Sequence, residues 1–198
     1  MGKVLIGLGV LVAIFGASCV GSYNKLVRLG QAVDSQWSQV ENVYQRRADL
    51  VPNLVETVKG AANFERGTLI AVTEARAKVG QVSAQTTPQI TSDPAALQKF
   101  QQAQDGLSSA LSRLLVVSER YPDLKATANF RDLQAQLEGT ENRVTVERMR
   151  FTEAAQAFNS ARDSFPTVLM AGLFGKRFAE KAYFTAQAGA ATAPHVQF

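Results

Sequence analysis

The stretch from Val4 to Asn24, VLIGLGVLVAIFGASCVGSYN, carries no charged side chain over about 21 residues, and it restricts the fold more than anything else in the chain. A helix of about 20 apolar residues crosses the hydrocarbon core of a bilayer. Backbone amides there have no water to bond, so a helix is the required conformation despite Gly7, Gly9, Gly16 and Gly21. Tyr23 then falls at the aqueous boundary, where aromatic side chains with one polar end collect. Two other readings fit the same stretch. A cleaved secretory signal also has a basic start (Lys3), an apolar centre and small residues, here Gly16, Ala17 and Ser18, before the cut. A lipoprotein signal would make Cys19 the first mature residue, although Gly16 stands where a leucine-like residue is expected. A retained single-pass anchor is the expectation. Its orientation is open, since Lys3 and the amino group on one side nearly balance Lys25 and Arg28 on the other.

The chain of 198 residues is the length of one domain with a sizeable core. With 46% apolar and 19% charged residues it belongs with folded rather than disordered chains. A formal charge of +4 leans mildly towards anionic partners such as lipid headgroups. It lacks the concentrated basic patch of a nucleic-acid binder, so no nucleic-acid partner is expected. A single cysteine rules out an intramolecular disulfide.

Past the anchor, Val33, Trp37, Val40, Tyr44, Ala48, Val51, Val55, Val58 and Ala62 recur at steps of three or four, the spacing of one helical face. No proline and no long Gly/Ser cluster separates this run from the anchor, so one rigid helix is predicted to join them. Pro52 cannot donate to the carbonyl of Ala48, yet the apolar register passes through it. The pattern predicts a continuous helix kinked at Pro52. A second helix from Gly67 is predicted to end near Gly80, followed by a surface loop in QVSAQTTPQITSDP. Ser92 or Asp93 caps a third helix with Pro94 in its first turn, and Leu97, Phe100, Gln104, Leu107, Leu111, Leu114, Ser118 and Tyr121 mark its seam up to Pro122. The fourth holds heptad spacing, as in a coiled coil, through Leu133, Leu137, Thr140, Val144, Glu147, Phe151, Ala154, Phe158, Ala161 and Phe165. The predicted fold is all-α: an anchor over 1–24, an antiparallel bundle of about four long helices over 25–165, and an apolar-basic segment and tail over 166–198.

The motif QRRADLVPNLVETVKG sets Arg46, Arg47, Asp49, Pro52, Asn53, Glu56 and Lys59 along the first helix. These residues make either a solvated polar face with one interhelical ion pair or a contact for an anionic ligand or partner. Asp49 and Asn53 lie four apart and can bond side by side. Glu147 on the fourth helix needs a partner, and Arg46, Arg47 or Arg113 could supply it while setting helix register. No cofactor, metal or enzyme activity is expected. The lone histidine, His195, lies in the tail, Cys19 lies in the anchor without a base, and the glycines of GLGVLVAIFG lack a phosphate-loop context.

At the carboxyl end, Leu173, Phe174 and Phe178 gather around Lys176, Arg177 and Lys181. That mixture suits either anionic lipid or a neighbouring subunit. The runs SYNKLVRLGQAVDSQWSQVENVYQRRADLVPNLVETVKGAANFE, TEARAK, FNSARDSFP and PHVQF resemble the LemA family of bacterial membrane proteins over nearly the whole part beyond the anchor. The sequence departs from that family's usual residues at GAANFE and at Phe151-Thr152. The resemblance implies an N-terminal transmembrane segment in the bacterial inner membrane, a domain of four long helices, and no defined chemistry. Two functions remain. One is a membrane-anchored scaffold that self-associates as a homo-oligomer. The other is a receptor or adaptor that binds an anionic ligand or protein partner around Arg46, Arg47 and Lys59.

Overall fold

The computed structural model describes residues 2–60, 65–86 and 90–184. Ala62, the AANF part of GAANFE, and the tail with His195 and PHVQF lie outside the described residues. Six helices and one 3-10 turn follow in order: α1 Gly2–Lys59, α2 Arg66–Thr86, α3 Pro94–Ser118, α4 Pro122–Ala126, α5 Ala128–Asp163, α6 Thr167–Phe174, and the turn Gly175–Phe178. Among the described residues there is no strand, so the all-α expectation holds, with four long helices and two short ones.

Helix α1 runs 58 residues without a break, about 87 Å at 1.5 Å per residue. Its first third is an apolar rod on which Val4, Leu5, Ile6, Leu11 and Val20 are all exposed. From Leu26 the same helix enters the core through Leu26, Gly30, Val33, Trp37, Val40, Tyr44, Arg47, Val51, Leu54 and Val58. These alternate steps of four and three, a strict heptad seam. It differs from the predicted stripe at Arg47 and Leu54, which occupy the inward positions beside the slightly less buried Ala48 and Val55. At Gly30 a Cβ would lie 3.5 Å from the Phe158 ring, an ordinary packing distance.

Helix α5 runs opposite to α1. Gly30 faces Phe158, Gln36 bonds Glu147 at 2.6 Å and Arg47 bonds Glu141 at 2.8 Å, so α5 numbers fall as α1 numbers rise. The α5 seam is buried at Phe130, Leu133, Leu137, Thr140, Val144, Phe151, Ala155, Phe158 and Ala161. Three predicted seam members differ: Glu147 and Ala154 are only half buried, and Phe165, beyond the helix end at Asp163, is 81% exposed. Helix α2 extends to Thr86 rather than stopping near Gly80. Val79 is buried and Val82 packs against both parts of the core, so the apolar face continues past an exposed glycine. Helix α3 starts as predicted. Asp93 accepts from the Ala95 amide at 2.9 Å, and Pro94 takes the first position, where no donor is needed. It ends at Ser118, and Pro122 opens the short α4 instead of merely closing α3.

The core divides in two. A proximal cluster, nearer the apolar rod, holds Leu26, Val33, Trp37, Val40, Tyr44, Leu97, Phe100, Val144, Phe151 and Phe158. A distal cluster holds Leu50, Val51, Leu54, Val58, Leu107, Leu111, Leu114, Phe130, Leu133 and Leu137. The boundary falls at Arg47, Gln104 and Thr140, all buried.

Candidate functional site

The QRRADLVP stretch puts two adjacent arginines on one helix, and neighbours there point about 100° apart. Arg46 is exposed, while Arg47 falls on the seam with its side chain 2% accessible. Burying a guanidinium requires that its donors be met. Nη1 donates to Ser108 Oγ at 2.6 Å and to Glu141 Oε2 at 2.8 Å. Nη2 donates to the Gln104 carbonyl at 3.2 Å and to Gln104 Oε1 at 2.6 Å. The guanidinium carbon also lies 5.0 Å from the Tyr44 ring centroid. Of the three guanidinium nitrogens only Nε is buried without a partner, and among the described residues Trp37 Nε1 shares that state. The single carboxylate in the set, Glu141, has a side chain 51% exposed, so the counter-charge reaches in from the bundle surface.

This corrects the predicted pairing of Glu147. Arg47 meets Glu141, one and a half turns earlier on α5. Glu147 instead accepts from Gln36 at 2.6 Å and from Arg150 at 2.9 Å. Arg46 and Arg113 are exposed and do not reach it. Asp49 also differs, since it accepts from Gln45 Nε2 at 2.7 Å rather than from Asn53. Glu56 and Lys59 pair on the surface at 2.7 Å. Arg46, Asp49, Asn53, Glu56 and Lys59 therefore line an exposed edge of α1, and the structure brings only Arg47 to an interior site.

One functional contact was missed from the sequence. Pro52 lacks the amide that would bond the Ala48 carbonyl four residues back. Arg76 of α2 supplies it: its Nε donates to Ala48 O at 2.9 Å. Arg76 belongs to the TEARAK run, so two separate motifs meet at one carbonyl. Beside it a groove of about 520 Å³ opens between α1, α2 and α3, lined among others by Tyr44, Gln45, Arg76, Ser83 and Phe100. Burial of the Tyr44 phenol pushes its pKa above the ordinary value, against the lowering pull of Arg148 and Arg47. Tyr44 is therefore a neutral group at physiological pH.

The FNSARDSFP run works in the same manner. Asn159 donates to the Lys181 carbonyl at 2.9 Å and to the Tyr183 hydroxyl at 2.7 Å, and accepts from the Lys181 amide at 2.9 Å. Arg162 Nε donates to the Phe178 carbonyl at 2.8 Å. The segment after α5 is thereby fastened back along the bundle. Phe178 is buried, and Lys181 lies 3.5 Å from Asp34. Leu173, Phe174, Lys176 and Arg177 face outward. Among the described residues, no three His, Cys, Asp or Glu side chains stand together as a metal site would need.

The chain is similar over most of its length to several known proteins. The magnetosome proteins MamQ 1 and MamQ 2 of Paramagnetospirillum magneticum are each 24% identical over 183 residues, covering 85% of this chain and 67% of theirs. The magnetosome protein MamQ of Magnetospirillum gryphiswaldense is 23% identical over 188 residues, covering 87% and 69%. Protein LemA of Metamycoplasma hominis is 24% identical over 156 residues, covering 79% and 66%. The apolar first third of α1 and these relatives together fit a membrane protein. The model of the LemA family matches residues 36–198, which takes in QRRADLVPNLVETVKG, TEARAK and FNSARDSFP, and the chain belongs to the LemA family.

Proposed function

We propose that this protein is a single-pass inner-membrane scaffold that holds a rigid four-helix bundle at a set distance from the bilayer and self-associates laterally. The observation that carries the reading is the unbroken α1, whose exposed apolar rod continues into the central seam of the core. A signal peptide or a flexible tether has no need of such continuity. Force or position at the membrane passes directly to the bundle. The motifs that set this chain apart are used for internal fastening, at Arg47, at Arg76 and at Asn159, and the relatives described above are named for a cell structure and a family rather than for a reaction. Copies anchored in one plane are concentrated for each other, so weak lateral contacts suffice for assembly. The test is the protein mass of the detergent-extracted chain by light scattering. Several multiples of 21.4 kDa are expected, and a strictly monomeric particle rejects self-association.

A second reading is an adaptor that takes a partner at the groove beside Arg76, favoured by its mixed polar and aromatic lining. Gln45→Glu with Ser83→Glu, both lining the groove, would then repel an anionic partner and abolish its capture with helicity intact. Retained capture removes this reading.

A further inference from the structure

We propose that α6 and the turn after it form a second membrane contact, a foot that lies in the anionic headgroup layer beside the point where α1 leaves the bilayer. The inference rests on the anchored reading of α1. Helix α6, TVLMAGLF, carries no charge, yet only Thr167 and Ala171 of it are buried. Leu173 is 74% exposed, and Leu169, one turn earlier on the same face, is 48% exposed. Val168, Phe174 and the preceding Phe165 are exposed as well. A short segment with five exposed large apolar side chains is a docking surface rather than ordinary solvent-facing helix.

What covers it follows from where it sits. The Phe174 and Phe178 rings lie 5.1 and 5.5 Å from the Tyr23 ring, and the Arg177 guanidinium lies 5.4 Å from it. Tyr23 ends the uncharged span, and Val20, one turn earlier, is an exposed member of the apolar rod. The foot therefore stands level with the exit of the anchor, where an interfacial helix sinks about 5–10 Å into the headgroup boundary. Its apolar patch is continuous with the rod through Tyr23. The charges agree: Lys176 and Arg177 are exposed on the foot, and Lys25 and Arg28 are exposed on α1 within two turns of Tyr23. The one acid between residues 164 and 184 is Glu180. Lys181 is not part of the rim, since it is held by Asp34 and Thr91. The bonds from Asn159 and Arg162 mount the segment firmly on α5, so the foot is presented in place without a folding step on contact.

The test uses the full chain in phosphatidylcholine–phosphatidylglycerol vesicles, with Cys19→Ser and one new cysteine carrying an environment-sensitive fluorophore. The new cysteine is Leu11→Cys in the rod, Leu173→Cys in the foot, or Val116→Cys on exposed α3 at the far end of the bundle. Quenching by lipids spin-labelled along the acyl chain is expected at 11, quenching by lipids spin-labelled near the headgroup is expected at 173, and neither is expected at 116. An unquenched label at 11 overturns the anchor and the foot together. Quenching at 11 with a label at 173 that behaves like 116 overturns the foot alone. A label at 173 that is shielded from aqueous iodide yet untouched by lipid quenchers means a protein surface covers it, and also overturns the proposal. Each basic side chain near an anionic surface contributes roughly a five-fold preference, so Lys176→Gln with Arg177→Gln should lower the docked-to-undocked ratio roughly 30-fold, while Arg177→Lys should preserve it. Unchanged quenching in the double variant overturns the role assigned to the basic rim.

Discussion

Replacing Arg76 by leucine tests whether a side chain on one helix substitutes for the amide that Pro52 lacks on another. A hydrogen bond to a charged donor contributes about 1.5–3 kcal/mol net, and Arg76 is only half buried, so the lower end applies. Arg76→Leu should cost about 1.5–2 kcal/mol, a fall in Tm of roughly 3–8 °C for a chain of this size. Pro52→Ala restores an amide that can bond Ala48 within α1. It relieves part of the roughly 3 kcal/mol that an interior proline costs a helix, less about 0.5–1 kcal/mol from the freer unfolded chain. In that background the leucine at 76 should cost no more than about 0.5 kcal/mol, because the carbonyl already has its donor. The coupling expected from the double-mutant cycle is about 1–1.5 kcal/mol. Unfolding of the detergent-solubilised full chain in urea, followed by the fluorescence of its only tryptophan, Trp37, reports the bundle and not the apolar rod. If the two substitutions add within about 0.5 kcal/mol, Arg76 is not the replacement donor and the explanation of Pro52 is refuted.

The ion pair, buried on the arginine side only, should respond asymmetrically. Glu141→Ala leaves the Arg47 charge without its half-exposed counter-ion and should cost about 1.5–3 kcal/mol, whereas adding Arg47→Met to it should recover part of that loss, both read from urea midpoints. Burial raises the Tyr44 pKa in the fold, so its contribution to stability is complete below the unfolded value of 10.0 and is lost as pH rises through the folded value. Tyr44→Phe should therefore lose less stability than the parent between pH 10.0 and the onset of alkaline unfolding, and parallel curves would count against the assignment. Asn159→Ala removes three bonds to the segment after α5 and should open 166–184 to limited proteolysis while helicity at 222 nm stays nearly constant.

The seams of α3 and α5 were legible because their apolar residues recur at heptad steps, and periodicity survives in one dimension. The predicted end of α2 at Gly80 shows the limit of punctuation: glycine is tolerated inside a helix whose apolar face, at Val79 and Val82, continues past it. Arg47 was half visible. The steps from Tyr44 to Arg47 to Val51 keep the heptad, but a charged residue reads as surface until its partners on α3 and α5 are known. The bond from Arg76 to Ala48 spans 28 residues and left no trace in either local pattern. The positions of the C-terminal side chains divide for the same reason. Phe178 and Lys181 turn inward because Arg162, Asn159 and Asp34 reach them, and composition could not separate them from outward-facing Leu173 and Phe174.

A seam of this regularity creates a problem that Arg47 solves. Helices α1 and α5 present valine, leucine and phenylalanine at repeating intervals, so a slip of one heptad, about 10 Å, returns apolar side chains to apolar holes at small energetic cost. The polar layer does not survive that slip. Moving Arg47 by one heptad carries its guanidinium away from Gln104, Ser108 and Glu141 and into a layer of the proximal or distal cluster, so that all four of its side-chain donations are lost. The cost of an unpaired buried charge, several kcal/mol, exceeds what the slipped apolar contacts return. One register remains, and with it one height of the bundle above Tyr23. The register of α1 against α5 thus depends on a single arginine placed between two apolar halves.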